Sequence, residues 1–479
     1  MSPIGIADPG AFCGTELTLL NRCRARGIAC REEAGTFLLG GGDPETLAAL
    51  GVTARRQAGG AVLDLSRRAR VAIYAGAAIG YPYWAYYAHA LLAIGLTFVP
   101  LSAGHVAAGR LDEFDALVLP GGFATWGLDR AEGIAGVDAA IRAFIAAGGV
   151  LLGSCGGAFY VSEGRPGWLG IVDATPKFTQ EYLVTGTALV SVSLDGDELA
   201  RGLPEAVEMP YYHGPVFDAR SRRAMTRGRF RTYIQPNRLF IDNPLDKDLF
   251  RAEMQNMPAI LQASHGKGAV LVFSPHPEMG EFVRKGIILE SYVRPFLPVR
   301  GHDVMDQTLR FLARDDSAGF RLIHNAFGVL GLFEAAGGEG ERRVAAPSDE
   351  AGDEAGALLA ALATVDEALA GIDRAIDGQV AAETPAMQAL LAAEFARRRM
   401  EWAKVLPALR QAIAQGPLPA DLSVGLTAAL RDAATSLSQS GKLAQSGKLA
   451  ENLVLTEMPV RLAASALRLI LCDRALKVE

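Results

Sequence analysis

Cys155 stands in the stretch GSCGGAFY, residues 153–160, with glycine on both sides of a Ser-Cys pair. The pattern has the form glycine, any residue, nucleophile, any residue, glycine. Such spacing suits a thiol placed on a sharp strand-to-helix turn, where a Cβ at either flank would strike neighbouring backbone. The same turn puts sulfur at a helix start, whose partial positive charge favours thiolate. A second stretch, SPHPE, sets His276 and Glu278 two residues apart. A cysteine nucleophile needs a base, and the base needs an acceptor that fixes its tautomer. In extended chain, residues i and i+2 project to one side, so Glu278 can reach the ring that faces Cys155. A third stretch, LPGGFATW at 119–126, offers the backbone N–H groups of Gly121 and Gly122, which with that of Gly156 can receive a developing oxyanion. The combined chemistry is covalent attack on an acyl carbonyl. Taken alone, the cysteine motif also fits a glycine-rich connection with a buried thiol, because cysteine is often buried.

These groups act together only if the elements between them form the right scaffold. RVAIYAG (70–76), LTFVPL, FDALVLPGG (114–122) and VLLGSC read as strands, separated by helical runs such as YPYWAYYAHALLAIG and GVDAAIRAFIAAGG. That alternation predicts an α/β fold: a flavodoxin-like, mostly parallel sheet with helices on both faces. Sites in such sheets lie at the carboxyl ends of the strands, where all three motifs fall. The period-two pattern of 178–195 predicts an antiparallel excursion, and GAVLVFSPHPE (268–278) a further buried strand leading into the histidine loop.

Residues 1–68 read as a small α/β appendage and 69–335 as the main domain. The Gly-, Ala- and charge-rich run over 336–355 reads as a linker, and 356–479 as a C-terminal α-helical bundle domain. The tandem repeat QSGKLAQSGKLA (439–450) has too few copies for a solenoid and reads as a duplication within a helix connection.

The 479 residues are 50% hydrophobic and 21% charged, a globular composition. A net charge of −6 gives no electrostatic case for nucleic-acid binding. Five cysteines form no disulfide framework, and Cys13, Cys23 and Cys30 match no zinc spacing. No metal or other cofactor is expected. The most apolar stretch, 88–109, contains His89, Pro100 and His105, and predicts a helix end, a short strand and a loop rather than a membrane span. The start of the chain lacks a signal-peptide pattern, and the expectation is a soluble cytoplasmic protein with no membrane partner.

Two further clusters have two readings each. Tyr211, Tyr212 and His213 in PYYHGPVF (210–217) form either a substrate-pocket wall or a half-buried aromatic turn. Arg220, Arg222, Arg223, Arg227, Arg229 and Arg231 form either a solvated face or a lid that recruits an anionic group.

A strand ending in Pro-Gly-Gly, the cysteine elbow and a late His-Pro-Glu together resemble the class I glutamine amidotransferase-like superfamily. The stretches LVLPGGFATWGL, GSCGGAFY and PYYHGPVF are most similar to the domain at the N-terminus of eukaryotic biotin–protein ligases. The resemblance spans about residues 70–300. It implies thioester chemistry with release of ammonia from an amide, with Cys155, His276 and Glu278 on the triad positions and Gly121 and Gly122 on the oxyanion turn. In the relatives the aromatic stretch lines the substrate pocket. The chain carries no recognisable biotin-ligase or ammonia-accepting segment, so an acceptor would be a separate protein. It also lacks the acid that related cysteine hydrolases of the PfpI type place after the first strand. Two functions remain open: an amidohydrolase acting on a small-molecule amide, or a silent ligand-binding module whose helical tail docks a partner.

Overall fold

Strand-then-helix alternation after residue 69 resolves into one nine-stranded sheet, preceded by a smaller four-stranded one. The computed structural model describes residues 3–12, 14–33, 35–57, 69–122, 127–177, 186–218, 223–300, 307–308, 318–333, 353–443 and 449–476. Most of the predicted 336–355 linker, and the centre of the tandem repeat, lie outside them.

In the small sheet, β1 (Ile4–Ala7), β2 (Cys30–Glu33), β3 (Thr36–Leu39) and β4 (Ala54–Arg56) run antiparallel in the order β2-β3-β1-β4. Helix α1 (Thr15–Ala25) packs against β2 and β3. Asp43 caps the short helix Pro44–Ala48 that follows it, its carboxylate accepting the Thr46 N–H at 3.1 Å.

The large sheet comprises β5 (Val71–Tyr74), β6 (Val99–Leu101), β7 (Ala116–Leu119), β8 (Val150–Ser154), β9 (Thr187–Leu194), β10 (Ala206–Tyr212), β11 (Met225–Pro236), β12 (Pro258–His265) and β13 (Gly268–Phe273). Their order is β10-β9-β11-β12-β13-β8-β7-β5-β6. From β13 to β6 every pairing is parallel. Numbered among themselves, these five strands give 2-1-3-4-5, the flavodoxin-like order, whose topological switch point lies between the first and third. The other four strands extend the sheet antiparallel, a larger excursion than the 178–195 pattern alone announces.

Alternation along each parallel strand sorts side chains to two cores. Val71, Ile73, Ala116, Val118 and Leu152 join one buried cluster, and Ala72, Tyr74, Leu117, Leu119 and Leu151 the other. That double burial is why these strands read as continuous apolar runs. Helix α2 (Tyr83–Ala93) contributes to the first cluster; α3 (Val137–Ala146) and α4 (Gly156–Val161) contribute to the second. Beyond β13 come α5 (Gly280–Ile288) and α6 (Ala318–Val329).

The C-terminal helices are α7 (Glu354–Val380), α8 (Pro385–Ala414), α9 (Ala420–Leu443) and α10 (Leu449–Ala475). Helix α10 packs against α8 and α9, and equally against α1, α2 and α5. Apolar side chains on all its sides are buried, among them Leu453, Val454, Leu462 and Ile470, each worth about 2 kcal/mol of transfer free energy. Polar clasps fix the arrangement. Arg22 of α1 donates to both Asp473 oxygens at 2.9 and 3.2 Å, and Trp84 of α2 donates to Asp432 at 3.1 Å. The tail therefore covers the same sheet face as α2, which its composition does not reveal. Among the described residues α7 is long and apolar enough to cross a membrane by length and composition. Its Leu358, Leu362, Val365, Leu369, Ile372 and Ile376 recur at helical spacing and are buried, the pattern of an amphipathic packing helix.

Two expectations change in detail. After β6 the predicted loop begins as a short helix, Ala103–Ala107, because Ser102 forms a capping box with His105. The described part of the arginine run is strand and not a lid. Arg227, Arg229 and Arg231 lie in β11, paired with β9 on one side and β12 on the other. Arg227 donates to Gln262 at 2.6 Å, Arg231 pairs with Glu205 and Arg229 with Asp195, while Arg223, on the approach to the strand, bonds Asp173. Arg220 and Arg222 lie outside the described residues.

Candidate functional site

Strand β8 ends at Ser154 and α4 begins at Gly156, so Cys155 alone makes the turn. Its backbone takes φ +48° and ψ −105°, a conformation L-residues rarely adopt, and such strain collects at functional sites. Hydrogen bonds from both sides hold it: the Cys155 N–H donates to Phe273 O at 2.9 Å, and its carbonyl accepts the Phe159 N–H at 3.0 Å. The thiol is half-buried, and Sγ donates to the Tyr212 carbonyl at 3.2 Å. A Cβ on Gly156 would lie 2.1 Å from Gly122 O, so the elbow and the Pro-Gly-Gly turn after β7 touch backbone to backbone. Gly122 itself has φ +137°, open to glycine.

The Pro-Gly-Gly turn is supported in turn by a residue the sequence did not single out. Glu132 reaches the connection after β5, where its carboxylate accepts the N–H groups of Ala77 and Ala78 at 3.0 and 2.9 Å and the Tyr74 hydroxyl at 2.8 Å. Glu132 thus fixes the backbone of that connection from another element.

His276 and Glu278 follow β13 directly. The His276 N–H donates to Pro210 O at 2.9 Å, tying the loop to β10. Both residues are 1% exposed, and His276 Nδ1 lies 2.7 Å from Glu278 Oε1. That contact orients the ring, although Pro277–Met279 turns as a short 3-10 helix after His276 rather than running as the extended chain expected, with the Tyr212 ring edge-on to the imidazole at 5.8 Å. Burial by itself lowers the imidazole pKa, but the Glu278 carboxylate and the neighbouring Cys155 outweigh it and push it up to about 10. Gly121 packs under the ring, where a Cβ would lie 2.9 Å from His276 Cε1 and 3.5 Å from Cys155 Cβ. The three motifs thus meet in one place.

Ser154, the residue before the cysteine, was not anticipated. Its buried hydroxyl donates to Glu278 Oε1 at 2.8 Å, the oxygen that also faces His276. Ser154→Ala is expected to lower unfolding stability by about 2 kcal/mol, since a buried carboxylate loses a charge-assisted bond. Urea denaturation measures it; an unchanged midpoint contradicts the assignment.

A cavity of about 340 Å³ opens beside the sulfur. Cys155, Gly156, Gly122, His276, Tyr212 and His213 line it. His213 has φ +53°, and its N–H and Nδ1 clamp the Gly186 backbone with two 3.1 Å hydrogen bonds. Tyr211 does not line the cavity: alternation along β10 turns it into the core, fully buried, its hydroxyl donating to Gly214 O at 2.7 Å. Glu451, Asn452 and Leu455 complete the wall from the first turns of α10, and Phe240 and Ile241 from the loop that follows β11. No motif marks these residues. They reach the site only through the packing of α10 on the sheet face.

No family model matches the chain, and no curated protein matches it. Solved structures with related architecture include a candidate GMP synthase component from Thermoplasma acidophilum, at 13% identity over 55% of this chain and 94% of the other, with a TM-score of 0.33. A glutamine amidotransferase from Thermotoga maritima matches at 16% identity over 55% of this chain and 97% of the other, with a TM-score of 0.33. A β-galactosidase from Bacillus circulans matches at 13% identity over 56% of this chain but only 31% of its own, with a TM-score of 0.32. Scores this low, shared by proteins of different function, carry no functional argument; the residues at the site must carry it.

Proposed function

We propose that this protein is a cysteine-dependent amidohydrolase with chemistry of the glutamine amidotransferase-like kind. The supporting observation is a half-buried cysteine at φ +48° beside a buried His276–Glu278 pair, at the carboxyl edge of a flavodoxin-order sheet. The Cys155 thiolate attacks the amide carbonyl, forming the C–S bond while charge develops on oxygen toward the Gly122 and Gly156 N–H groups. The C–N bond then breaks as His276 gives its proton to the leaving nitrogen, leaving a thioester. Water attacks the thioester, His276 takes its proton, and the carboxylic acid departs with the thiolate restored. Glu278 holds the ring and stabilises the imidazolium. Where the leaving group is ammonia, a separate protein is its acceptor.

The test is peptide-resolved labelling by a glutamine-mimicking chloroketone beside iodoacetamide. Selective, stoichiometric modification of Cys155 by the chloroketone is the expected result. Modification of other cysteines in preference to Cys155 by both reagents would remove the enzyme reading.

A further inference from the structure

Two buried polar atoms beside the histidine–glutamate pair have no part in the reaction described above. Among the described residues neither the Tyr87 hydroxyl nor Glu278 Oε2 has a hydrogen-bond partner, whereas Glu278 Oε1 meets both Ser154 and His276. Tyr87 is fully buried on α2, and α2 packs on the Pro277–Met279 turn that carries Glu278. Alternation along β8 turns Ser154 to the same face as Leu152, whose cluster also holds Tyr87, Phe273 and Met279. Burial pushes the Tyr87 phenol pKa up and the Glu278 carboxylate pushes it further, while the Ser154 hydroxyl acts the other way. Donor and acceptor therefore face the same buried space. A buried hydroxyl without a partner costs stability that phenylalanine would not.

The chemistry gives such a donor a task. In the free enzyme burial opposes the His276 imidazolium, but Glu278 and Cys155 together push its pKa up to about 10. Once the thioester forms, the sulfur carries no charge and Glu278 acts alone. Unmoderated, Glu278 would keep the ring protonated at neutral pH, where a base must be free to take a proton. A further donor on the carboxylate spreads its charge and weakens the ring's hold on a proton. Resting on the amidohydrolase reading, we propose that Tyr87 is a positioning residue for the second half-reaction: its hydroxyl donates to Glu278 Oε2 in the acyl-enzyme and frees His276 to act as base. The water oxygen then bonds to the thioester carbon, a water proton passes to His276 Nε2, and the C–S bond breaks to restore thiolate and imidazolium.

Other titratable groups near the pair are Tyr83 and Tyr86 from α2, Tyr212 and His213 at the end of β10, and Glu451 from α10. On Tyr86 the neighbouring tyrosines outweigh Glu278. Helices α5 and α6, which also pack on the turn, engage their charges elsewhere: Glu281 with Arg284, Lys285 beside Glu394, Arg321 with Asp8 and His324 with Glu32.

p-Nitrophenyl acetate tests this on the full-length protein, because it reads acylation and thioester hydrolysis separately. The p-nitrophenolate burst gives acylation. Loss of the acetyl group from Cys155, followed by peptide-resolved mass from about pH 6 to pH 9, gives hydrolysis across the histidine range. Tyr87→Phe is expected to leave the burst rate within about twofold, since the free enzyme's imidazolium is already complete at neutral pH. Hydrolysis of the acetyl-enzyme is expected to fall about fivefold at pH 7, with the deficit closing toward pH 9 as the ring loses its proton. In the Glu278→Gln background the same substitution should add nothing, and its urea midpoint in the otherwise wild-type chain should equal or exceed that of wild type. No hydrolysis deficit, a deficit equal at every pH, one that persists with Glu278→Gln, or a lowered urea midpoint overturns the Tyr87 assignment and leaves the amidohydrolase reading standing. Absence of His276-dependent acetylation of Cys155 in the wild type overturns both.

Discussion

His276→Ala is expected to slow modification of Cys155 by the glutamine-mimicking chloroketone by about 10²- to 10⁴-fold, the usual worth of a positioned acid–base group. The effect should be large because His276 lines the cavity beside the sulfur and is bonded through Nδ1 to the buried Glu278 carboxylate. Glu278→Gln separates orientation from charge. The amide keeps a group that can bond Nδ1, but it removes the Glu278 anion, which together with Cys155 lifts the ring's pKa to about 10 against burial. With that anion gone, Cys155 alone opposes burial, and the imidazole midpoint should fall from about 10 toward the ordinary histidine value near 6.5. In the wild type the imidazolium therefore persists through neutral pH and is lost only near pH 10; in Glu278→Gln it is lost well below that. Folding stability follows the same sign. A folded pKa above the unfolded one contributes stability that is complete below the unfolded value and disappears as pH rises through the folded value. Wild type should accordingly lose more stability than Glu278→Gln between about pH 7 and pH 10. Proton NMR titration of the ring and urea midpoints across that range measure both effects. An unchanged imidazole midpoint in Glu278→Gln would show that the carboxylate does not govern the ring.

The contrast between what could and could not be read in the sequence follows from the range of the interactions. Cys155, His276 and Glu278 are legible because local geometry writes them: an elbow needs its glycines, and residues two apart stay within reach of each other, here across a short 3-10 turn at Pro277–Met279 rather than the extended chain expected. The parallel strands are legible because burial on both faces leaves continuous apolar runs such as ALVL in β7. Ser154 and Glu132 were missed for the opposite reason. Each acts through one side-chain contact with an element distant in the chain, Glu278 in one case and the 77–78 backbone in the other. Tyr211 and Tyr212 are adjacent and chemically identical, so only the register of β10 decides that Tyr211 enters the core and Tyr212 lines the cavity beside His276. The role of α10 is the least legible. Its helical spacing predicts a helix, but a helix buried on all sides does not disclose which neighbours bury it. Glu451 and Leu455 gain meaning only once α10 lies across α2.

Gly156→Ala should be among the most damaging single changes in the chain, although it adds one methyl group. The new Cβ would sit 2.1 Å from Gly122 O, 2.8 Å from Gly122 N and 2.9 Å from Gly122 C. All three are backbone atoms, so no side chain can swing away. The Gly122 turn cannot retreat freely either. A Cβ built on it finds Ala78 O at 3.1 Å and Ile79 Cα at 3.3 Å, and the Ala77–Ala78 connection is held by Glu132. The elbow must therefore shift, against a cysteine already at φ +48° and bonded to Phe273. Overpacking of this kind typically costs 1–3 kcal/mol, and with backbone on both sides about 3 kcal/mol is expected, read from urea denaturation. Gly157→Ala is the control. Its Cβ meets Leu119 O at 2.3 Å, so its stability loss should be similar, but Gly157 does not line the cavity. Chloroketone labelling of the folded fraction distinguishes them. It should fall at least tenfold further in Gly156→Ala than in Gly157→Ala, because only the former displaces an N–H beside the sulfur. Equal labelling in the two would mean that the contact of the elbow with the Gly122 turn serves packing alone, and the oxyanion role of that turn would have to be given up.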